Sequence, residues 1–167
     1  MRYAFAHPDQ IERLVIFNAP IHPSARLPWA IRQFGIPLVG DMLTQDPLLV
    51  DRTLETGGIY RVPDKDLDVY RRPFLTTSAS GRALLATVQN LGIPKESALL
   101  ADQFAQWTRP TLVAWGMQDP WLRFQEEWSQ RRGTKVIKLE QVGHYPQHDW
   151  AEKVIEAVVP FLRQLMP

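Results

Sequence analysis

Two side chains, Asp119 and His144, have the residue types and the placement of a proton-transfer pair. Asp119 follows the apolar segment 109–116, and His144 follows the segment 135–142. The carboxyl ends of neighbouring parallel strands meet at one edge of a sheet, so the two side chains are expected to lie close together there. A carboxylate bonded to one ring nitrogen fixes the histidine tautomer. The other nitrogen can then take a proton from a nucleophile or from water.

The residues alone leave two plainer interpretations open. An Asp-Pro pair such as Asp119-Pro120 is a common helix cap, and a single loop histidine often serves only as a hydrogen-bonding or surface residue. The separation of Asp119 and His144 is what one helix and one strand require. That spacing suits a catalytic pair without demanding one.

Three apolar segments predict the strands that would hold this pair. Segments 13–20 (RLVIFNAP) and 109–116 (RPTLVAWG) are unbroken apolar runs, typical of central parallel strands buried on both faces. Segment 135–142 alternates apolar and charged residues, which favours a place nearer the edge of the sheet. Segment 119–133 begins with a potential cap and ends in a glycine, so it predicts a helix. Strand, helix and strand in this order form a parallel crossover.

Helices are predicted around these strands. Segment 149–166 opens with Asp149 and Glu152 in capping-box spacing, and Pro160 should kink it. The apolar side of this helix consists of Val154, Val158, Phe161, Leu162 and Leu165. Residues 21–107 contain several helix starts separated by prolines. They predict a helical layer inserted into the α/β pattern rather than a tandem domain.

Composition argues against several classes of function. The 19 basic and 18 acidic residues are scattered along the chain, which argues against nucleic acid or a membrane surface and favours a small-molecule substrate. There is no cysteine, and the four histidines lack paired metal-ligand spacing, so we expect neither a metal nor a cofactor. No apolar run approaches the roughly 18 residues needed to span a bilayer, and no signal-peptide core is present. We expect a cytoplasmic protein.

Three stretches resemble the second half of an α/β-hydrolase, in particular the capped branch that holds epoxide hydrolases and haloalkane dehalogenases. They are 3–20 (YAFAHPDQIERLVIFNAP), 110–121 (PTLVAWGMQDPW) and 142–162 (VGHYPQHDWAEKVIEAVVPFL). Segment 69–94 is similar to the cap of dehalogenase-like members. The resemblance covers essentially the whole chain. It implies a partial hydrolase core at 1–20 and 108–167, and a helical cap at 21–107.

The resemblance also implies roles and exposes a gap. In this family the aspartate after the penultimate strand is the triad acid and the histidine after the last strand is the base, which implies these roles for Asp119 and His144. The nucleophile comes first in the chain, in a sharp turn between a strand and a helix. Ser80 lies in the helical insertion after no apolar strand, and both Ser80 and Ser24 are assigned to caps or turns. The chain therefore looks cut just downstream of its nucleophile.

Four further residues are candidates for substrate binding. Tyr145 and Trp121 adjoin the two loops that carry the pair, with packing in the core as the alternative role for both. His22 follows the first strand, where it either borders the pocket or only begins the insertion. Tyr70 lies in the insertion, and epoxide hydrolases use cap tyrosines to polarise the ring oxygen.

Asn18 ends the first strand where some dehalogenases keep an alternative acid. An amide cannot serve as that acid, which favours Asp119.

These inferences lead to one main hypothesis and two alternatives. The parent protein would hydrolyse a small, largely apolar ester, epoxide or haloalkane, and this chain alone would be inactive because it lacks the nucleophile. Alternatively, the chain is a non-catalytic remnant or interaction module that pairs through strand 13–20, whose edge the missing part would leave exposed. The third possibility is an incomplete gene model.

Overall fold

The computed structural model describes residues 1–163, in which three strands form one parallel sheet in the order β1-β2-β3. The strands are β1 (Leu14–Phe17), β2 (Thr111–Gly116) and β3 (Thr134–Leu139). Val113 of β2 lies between Ile16 of β1 and Val136 of β3. The predicted α/β class, with about three parallel strands and flanking helices, is confirmed.

Six α-helices lie between β1 and β2 in the described chain. They are α2 (Trp29–Arg32), α3 (Val39–Leu43), α4 (Leu49–Gly57), α5 (Asp64–Thr76), α6 (Ser78–Gln89) and α7 (Ile93–Gln106). The others are α1 (Arg2–Ala6), α8 (Glu127–Gln130), α9 (Pro146–Asp149) and α10 (Ala151–Arg163). The segment predicted as an insertion is helical in its regular elements, and its role as a cap stays a prediction.

Strand β2 is buried along its whole length because both of its faces are covered. On one face Leu112 packs against Phe161 of α10. On the other face Val113 and Trp115 belong to a larger cluster that includes Trp128 of α8. Complete burial of one such aliphatic side chain contributes about 1.5 to 3 kcal/mol. This two-sided burial explains the unbroken apolar run in the sequence.

The sequence predicted that strand 13–20 has the apolar pattern of a central strand and that one of its edges is exposed in this chain, and β1 is an edge strand of the sheet that residues 1–163 form. It pairs with β2 alone, and Leu14, Val15 and Phe17 are only half-buried. An apolar run reports that the faces of a strand are covered, and it carries no information about how many neighbours the strand has. β3 also lies at an edge, as its alternating pattern predicted.

The predicted helix over 119–133 is wrong in extent, since only the single turn α8 forms. A longer helix would place Trp121, Phe124 and Trp128 on one face. In the structure Trp121 contacts the ring of His144, whereas Phe124 and Trp128 pack against Trp115. Because Trp121 has a different packing partner from Phe124 and Trp128, the three side chains do not share one helix face, and tertiary packing overrides the helical pattern.

The chain after β3 also departs from the capping-box prediction. A separate turn, α9, precedes α10, and the Asp149 carboxylate bonds backbone groups outside α10. Helix α10 continues through Pro160 to Arg163, and Leu165 lies outside the described residues. No helix in residues 1–163 has the length and apolar character needed to cross a membrane.

Candidate active site

Asp119 and His144 form a hydrogen bond beyond the carboxyl ends of β2 and β3. Nδ1 of His144 lies 2.8 Å from Oδ2 of Asp119. The Asp119 side chain is completely shielded from solvent, and the His144 side chain is 21% exposed. The structure thus brings together the two residues that the sequence placed at consecutive strand ends.

Each carboxylate oxygen of Asp119 accepts two hydrogen bonds. Oδ2 accepts from His144 and from the Asn18 amide (2.7 Å), and Oδ1 accepts from the backbone N–H groups of Trp121 (2.7 Å) and Leu122 (3.0 Å). Burial raises the pKa of Asp119, but the hydrogen bonds outweigh burial and hold the pKa below its ordinary value. Asp119 is therefore an ionised acceptor. His144 must carry its proton on Nδ1, which leaves Nε2 as the basic nitrogen of the neutral ring.

Asn18 has a role that sequence analysis missed. Its Nδ2 donates to Oδ2 of Asp119 and to the Gly116 carbonyl (3.2 Å), while its Oδ1 accepts from the Gly116 N–H (2.9 Å). The buried amide therefore links the end of β1 to the end of β2 and to the carboxylate. A polar residue that ends an apolar strand was the available signal, but its partner lies about a hundred residues away in the chain.

The two loops that carry Asp119 and His144 stay paired beyond the strands. The Gln118 N–H donates to the Val142 carbonyl (2.9 Å). A side chain at Gly116 would collide with the Gly143 carbonyl and would lie 2.7 Å from the Val142 carbonyl, so only glycine permits this approach. Close pairing of the loops sets the distance between the acid and the base.

Two aromatic residues surround the imidazole. The ring centroid of Trp121 lies 4.6 Å from that of His144, and the ring centroid of Tyr145 lies 5.0 Å from it. Burial, together with the negative charge of Asp119, raises the pKa of Tyr145 to about 12. Tyr145 therefore remains a neutral phenol at physiological pH. The two rings contact the imidazole, and the His144 side chain is only partly exposed.

A cavity of about 210 Å³ opens beside His144. Its polar lining comes from His144, Asn18 and Arg26, and Trp121 covers part of it. The remaining lining residues are Pro20, Leu27, Pro28, Ile31, Ile93 and Leu122. These residues come from the segment after β1, from the loop after β2 and from the start of α7, so the helical segment between β1 and β2 and the loop that follows β2 both contribute to the wall.

The other predicted binding residues lie at different places. His22 lines a neighbouring cavity of about 310 Å³, which Trp121 also lines, and its Nδ1 lies 2.6 Å from the Ser24 hydroxyl. The Tyr70 hydroxyl forms a hydrogen bond with Nε2 of His148 at 2.6 Å. Neither His22 nor Tyr70 lines the cavity beside His144. Tyr145 contacts the imidazole ring without lining that cavity.

Nε2 of His144 makes no hydrogen bond within residues 1–163. No serine or carboxylate of this part of the chain is therefore bonded to the basic nitrogen. In the same residues, no group of three or more histidine, aspartate or glutamate side chains could hold a metal ion. The arrangement can orient a base and accept a proton, and it needs a nucleophile or a water molecule as its partner.

Several solved structures share this fold. The chain is 23% identical to haloalkane dehalogenase DbeA from Bradyrhizobium elkani USDA94, with a TM-score of 0.77 over 96% of this chain and 61% of that chain. It is 20% identical to an α/β-hydrolase fold protein from Burkholderia ambifaria (TM-score 0.70, 95% and 61%). It is 22% identical to a candidate lipase from Acinetobacter baumannii AYE (TM-score 0.68, 96% and 55%). No protein-family model matches the chain.

The sheet, its helices and these similarities define a chain with the α/β-hydrolase fold. It spans about 60% of the length of the haloalkane dehalogenase and the Burkholderia protein that it matches. This share agrees with the predicted C-terminal part of that fold, and the predicted resemblance to haloalkane dehalogenases and related hydrolases is confirmed at the level of fold.

Proposed function

We propose that this chain carries the acid and the base of an α/β hydrolase that acts on small, largely apolar substrates. The observation that carries the proposal is the 2.8 Å hydrogen bond between the buried Asp119 carboxylate and Nδ1 of His144. Asp119 orients the ring and stabilises the imidazolium, so Nε2 can accept a proton from a nucleophile or from water. The cavity of about 210 Å³ supports a small apolar substrate, because mainly apolar side chains line it.

Two nucleophiles are compatible with this base. In a dehalogenase-like reaction, a carboxylate nucleophile displaces the halide and forms an alkyl ester, and water activated by His144 then hydrolyses that ester to the alcohol and the free carboxylate. In a lipase-like reaction, a serine nucleophile gives its proton to His144, forms an acyl-enzyme and releases the alcohol, which takes up that proton; water activated by His144 then cleaves the acyl-enzyme. The similar structures include a haloalkane dehalogenase and a candidate lipase, which supports both reactions. His144 activates water in both reactions, and it also deprotonates the nucleophile when the nucleophile is a serine.

The first test uses the 167-residue protein with haloalkane, epoxide and ester substrates. We expect no triad turnover, because no nucleophile in residues 1–163 is bonded to His144. Burst kinetics that disappear in a His144→Gln variant would contradict this expectation. They would show that the described chain supplies its own nucleophile.

The second test supplies a nucleophile. A chimera would join the part of DbeA that this chain does not cover to the present chain, and halide release would be measured after folding is verified by circular dichroism. We expect turnover that His144→Gln abolishes and Asp119→Asn lowers by several orders of magnitude, as loss of a triad acid does. A folded chimera whose turnover is the same in His144→Gln would refute the assigned base.

The open edge of β1 supports a second candidate function, that of a module that pairs with another polypeptide. β1 pairs only with β2 within residues 1–163, so one row of its backbone groups is free to bond an incoming strand. Such pairing requires no catalysis. The oligomeric state of the protein tests this candidate, because association supports pairing through β1 and a stable monomer contradicts it.

A further inference from the structure

A second carboxylate, Asp149, bonds the backbone on both sides of the boundary between the His144 loop and the helical insertion. Its Oδ2 accepts from the Gly143 N–H at 2.6 Å, and both of its oxygens lie 3.2 Å from the Ile59 nitrogen. The Tyr60 nitrogen lies 3.5 Å from Oδ1. Gly143 directly precedes His144, whereas Ile59 and Tyr60 follow the end of α4. The acid-base chemistry does not use this carboxylate.

Two more hydrogen bonds join the same two parts of the chain. The backbone N–H of His144 itself donates to the Gly57 carbonyl at the end of α4, at 2.7 Å. In addition, the Tyr70 hydroxyl of α5 bonds the His148 ring of α9. The insertion is therefore hydrogen-bonded to the segment 143–149 at three places, one of which is the base residue.

The absence of side chains at two glycines permits these contacts. A side chain at Gly143 would place its first carbon 2.5 Å from the Gly57 carbonyl oxygen. A side chain at Gly57 would approach ring atoms of Tyr145 at 2.6 Å and of Trp121 at 2.8 Å. Neither backbone could come so close with any other residue type. Glycine at both positions therefore allows the end of α4 and the His144 loop to pack in direct contact.

A helix-capping role does not account for Asp149. Helix α10 begins at Ala151, and within residues 1–163 the hydrogen bonds of the Asp149 side chain go to residues 59, 60 and 143. A carboxylate satisfied by backbone N–H groups of two distant segments acts as a link between them.

We propose that Asp149 is a positioning residue that couples the helical insertion to the base. The contacts of residues 57–60 with Asp149, Gly143 and His144 hold the His144 imidazole in position beside Asp119. The loop between β3 and α9 has irregular backbone, so these hydrogen bonds restrict the positions that it can adopt. The role of His144 as a base rests on the proposed function. The effect of Asp149 on the Asp119–His144 hydrogen bond does not depend on whether the protein turns over a substrate.

The test compares Asp149→Asn with the control Glu152→Gln in the 167-residue protein. Both variants remove one negative charge, and Glu152 is exposed. Asparagine replaces one carboxylate oxygen by an NH₂ group, which faces the Gly143 and Ile59 N–H groups in one orientation and the Ile59 and Tyr60 N–H groups in the other, so donors oppose donors either way. Hydrogen exchange of backbone amides and the low-field resonance of the His144 Nδ1 proton would be followed by NMR, with circular dichroism to verify folding.

In Asp149→Asn we expect exchange of the His144 amide, and of the Gly143 or the Ile59 amide, to accelerate roughly 10-fold to 100-fold, as loss of a hydrogen bond to a charged group implies. The Nδ1 resonance should broaden or shift because the imidazole is no longer held against Asp119. Glu152→Gln should leave both signals as in the native protein. Unchanged exchange and an unchanged resonance in folded Asp149→Asn would overturn the proposal.

A measurement on the native protein guards against a variant that does not fold. If the insertion and the loop are coupled, the amides of Ile59, Gly143 and His144 should open together with one common protection factor. Fast exchange at Ile59 beside strong protection at Gly143 and His144 would overturn the coupling. These readouts do not depend on substrate, so an inactive chimera would refute the proposed function while leaving the coupling intact.

Discussion

The Asp119 carboxylate receives four hydrogen bonds from donors in three separate parts of the chain. His144, Asn18 and the backbone of Trp121 and Leu122 all point N–H groups at its two oxygens. An ionised aspartate matches this set because it offers acceptors only. The same match that orients His144 should therefore also stabilise the folded state.

We expect Asp119→Asn to destabilise the protein by about 3 kcal/mol. In either orientation the new NH₂ group faces donors, those of His144 and Asn18 or those of the Trp121 backbone. The free energy of unfolding in urea measures the effect. Asp9→Asn serves as the control, since the Asp9 side chain is 97% exposed and its ion pair with Arg109 should be worth about 1 kcal/mol or less. Equal losses in the two variants would contradict the hydrogen-bond argument.

Stability should fall at acid pH because the folded-state pKa of Asp119 is lowered. A lowered folded pKa gives stability that is fully present above the unfolded pKa, about 3.9, and is lost as the pH falls through the folded pKa. The free energy of unfolding, measured in urea, should fall less between neutral pH and pH ~3 for Asp119→Asn than for the native protein, because the asparagine side chain does not titrate. The hydrogen bond from Arg71 also lowers the pKa of Asp51, equally in both proteins, so the contribution of Asp51 cancels in the difference. Parallel curves would refute this assignment.

At the residue scale, the sequence predicted the pair but not what surrounds it. Asp119 and His144 could be found because each directly follows a strand-like run. The bonds from Asn18 depend on the spatial order of β1 and β2, which local pattern does not contain. The placement of Tyr70 against His148 likewise depends on how α5 packs. The proposed roles of the four binding candidates stay predictions.

At the scale of elements, the site depends on how closely the loop after β2 approaches the loop after β3. The existence and direction of these strands followed from apolar runs and a parallel crossover, and the structure confirms both. The crossover segment was predicted as a long helix, yet only α8 forms, because Trp121 is drawn to His144 while Phe124 and Trp128 pack on Trp115. Periodicity identifies an apolar face but not the different partners of its members.

We expect Gly116→Ala to destabilise the protein by at least about 3 kcal/mol, because the added carbon collides with backbone rather than with a flexible side chain. It should also separate the loops and change the His144 Nδ1 resonance. The control is Gly92→Ala, since Gly92 has a φ of −76° and open space at its Cβ position. Its stability should stay within about 1 kcal/mol of the native value. Urea unfolding and NMR would measure both, and a native-like Gly116→Ala protein would refute the close approach.

At the scale of the whole molecule, covered faces and an open edge coexist in one sheet. β2 is buried on both faces and paired on both sides, whereas β1 is paired on one side within residues 1–163. The Leu14 N–H donates to the Pro110 carbonyl at 3.0 Å. Backbone groups alternate in direction along a strand, so those of Leu14 and Ile16 face β2, and those of Val15 and Phe17 face the open edge. An edge of this kind is a template for another strand.

We expect the 167-residue protein to associate with rising concentration through this edge, and Val15→Pro to weaken that association while leaving the fold intact. Proline at position 15 removes an N–H that points outward, and edge strands tolerate such a proline. The matched variant Ile16→Pro removes an N–H directed at β2, so it should unfold the protein instead. Sedimentation velocity over a range of concentrations would measure association of each variant, and circular dichroism would show whether each variant is folded. A native protein that stays a stable, monodisperse monomer at all concentrations would refute the edge as a pairing surface, and Val15→Pro that associates as strongly as the native chain would place the contact elsewhere.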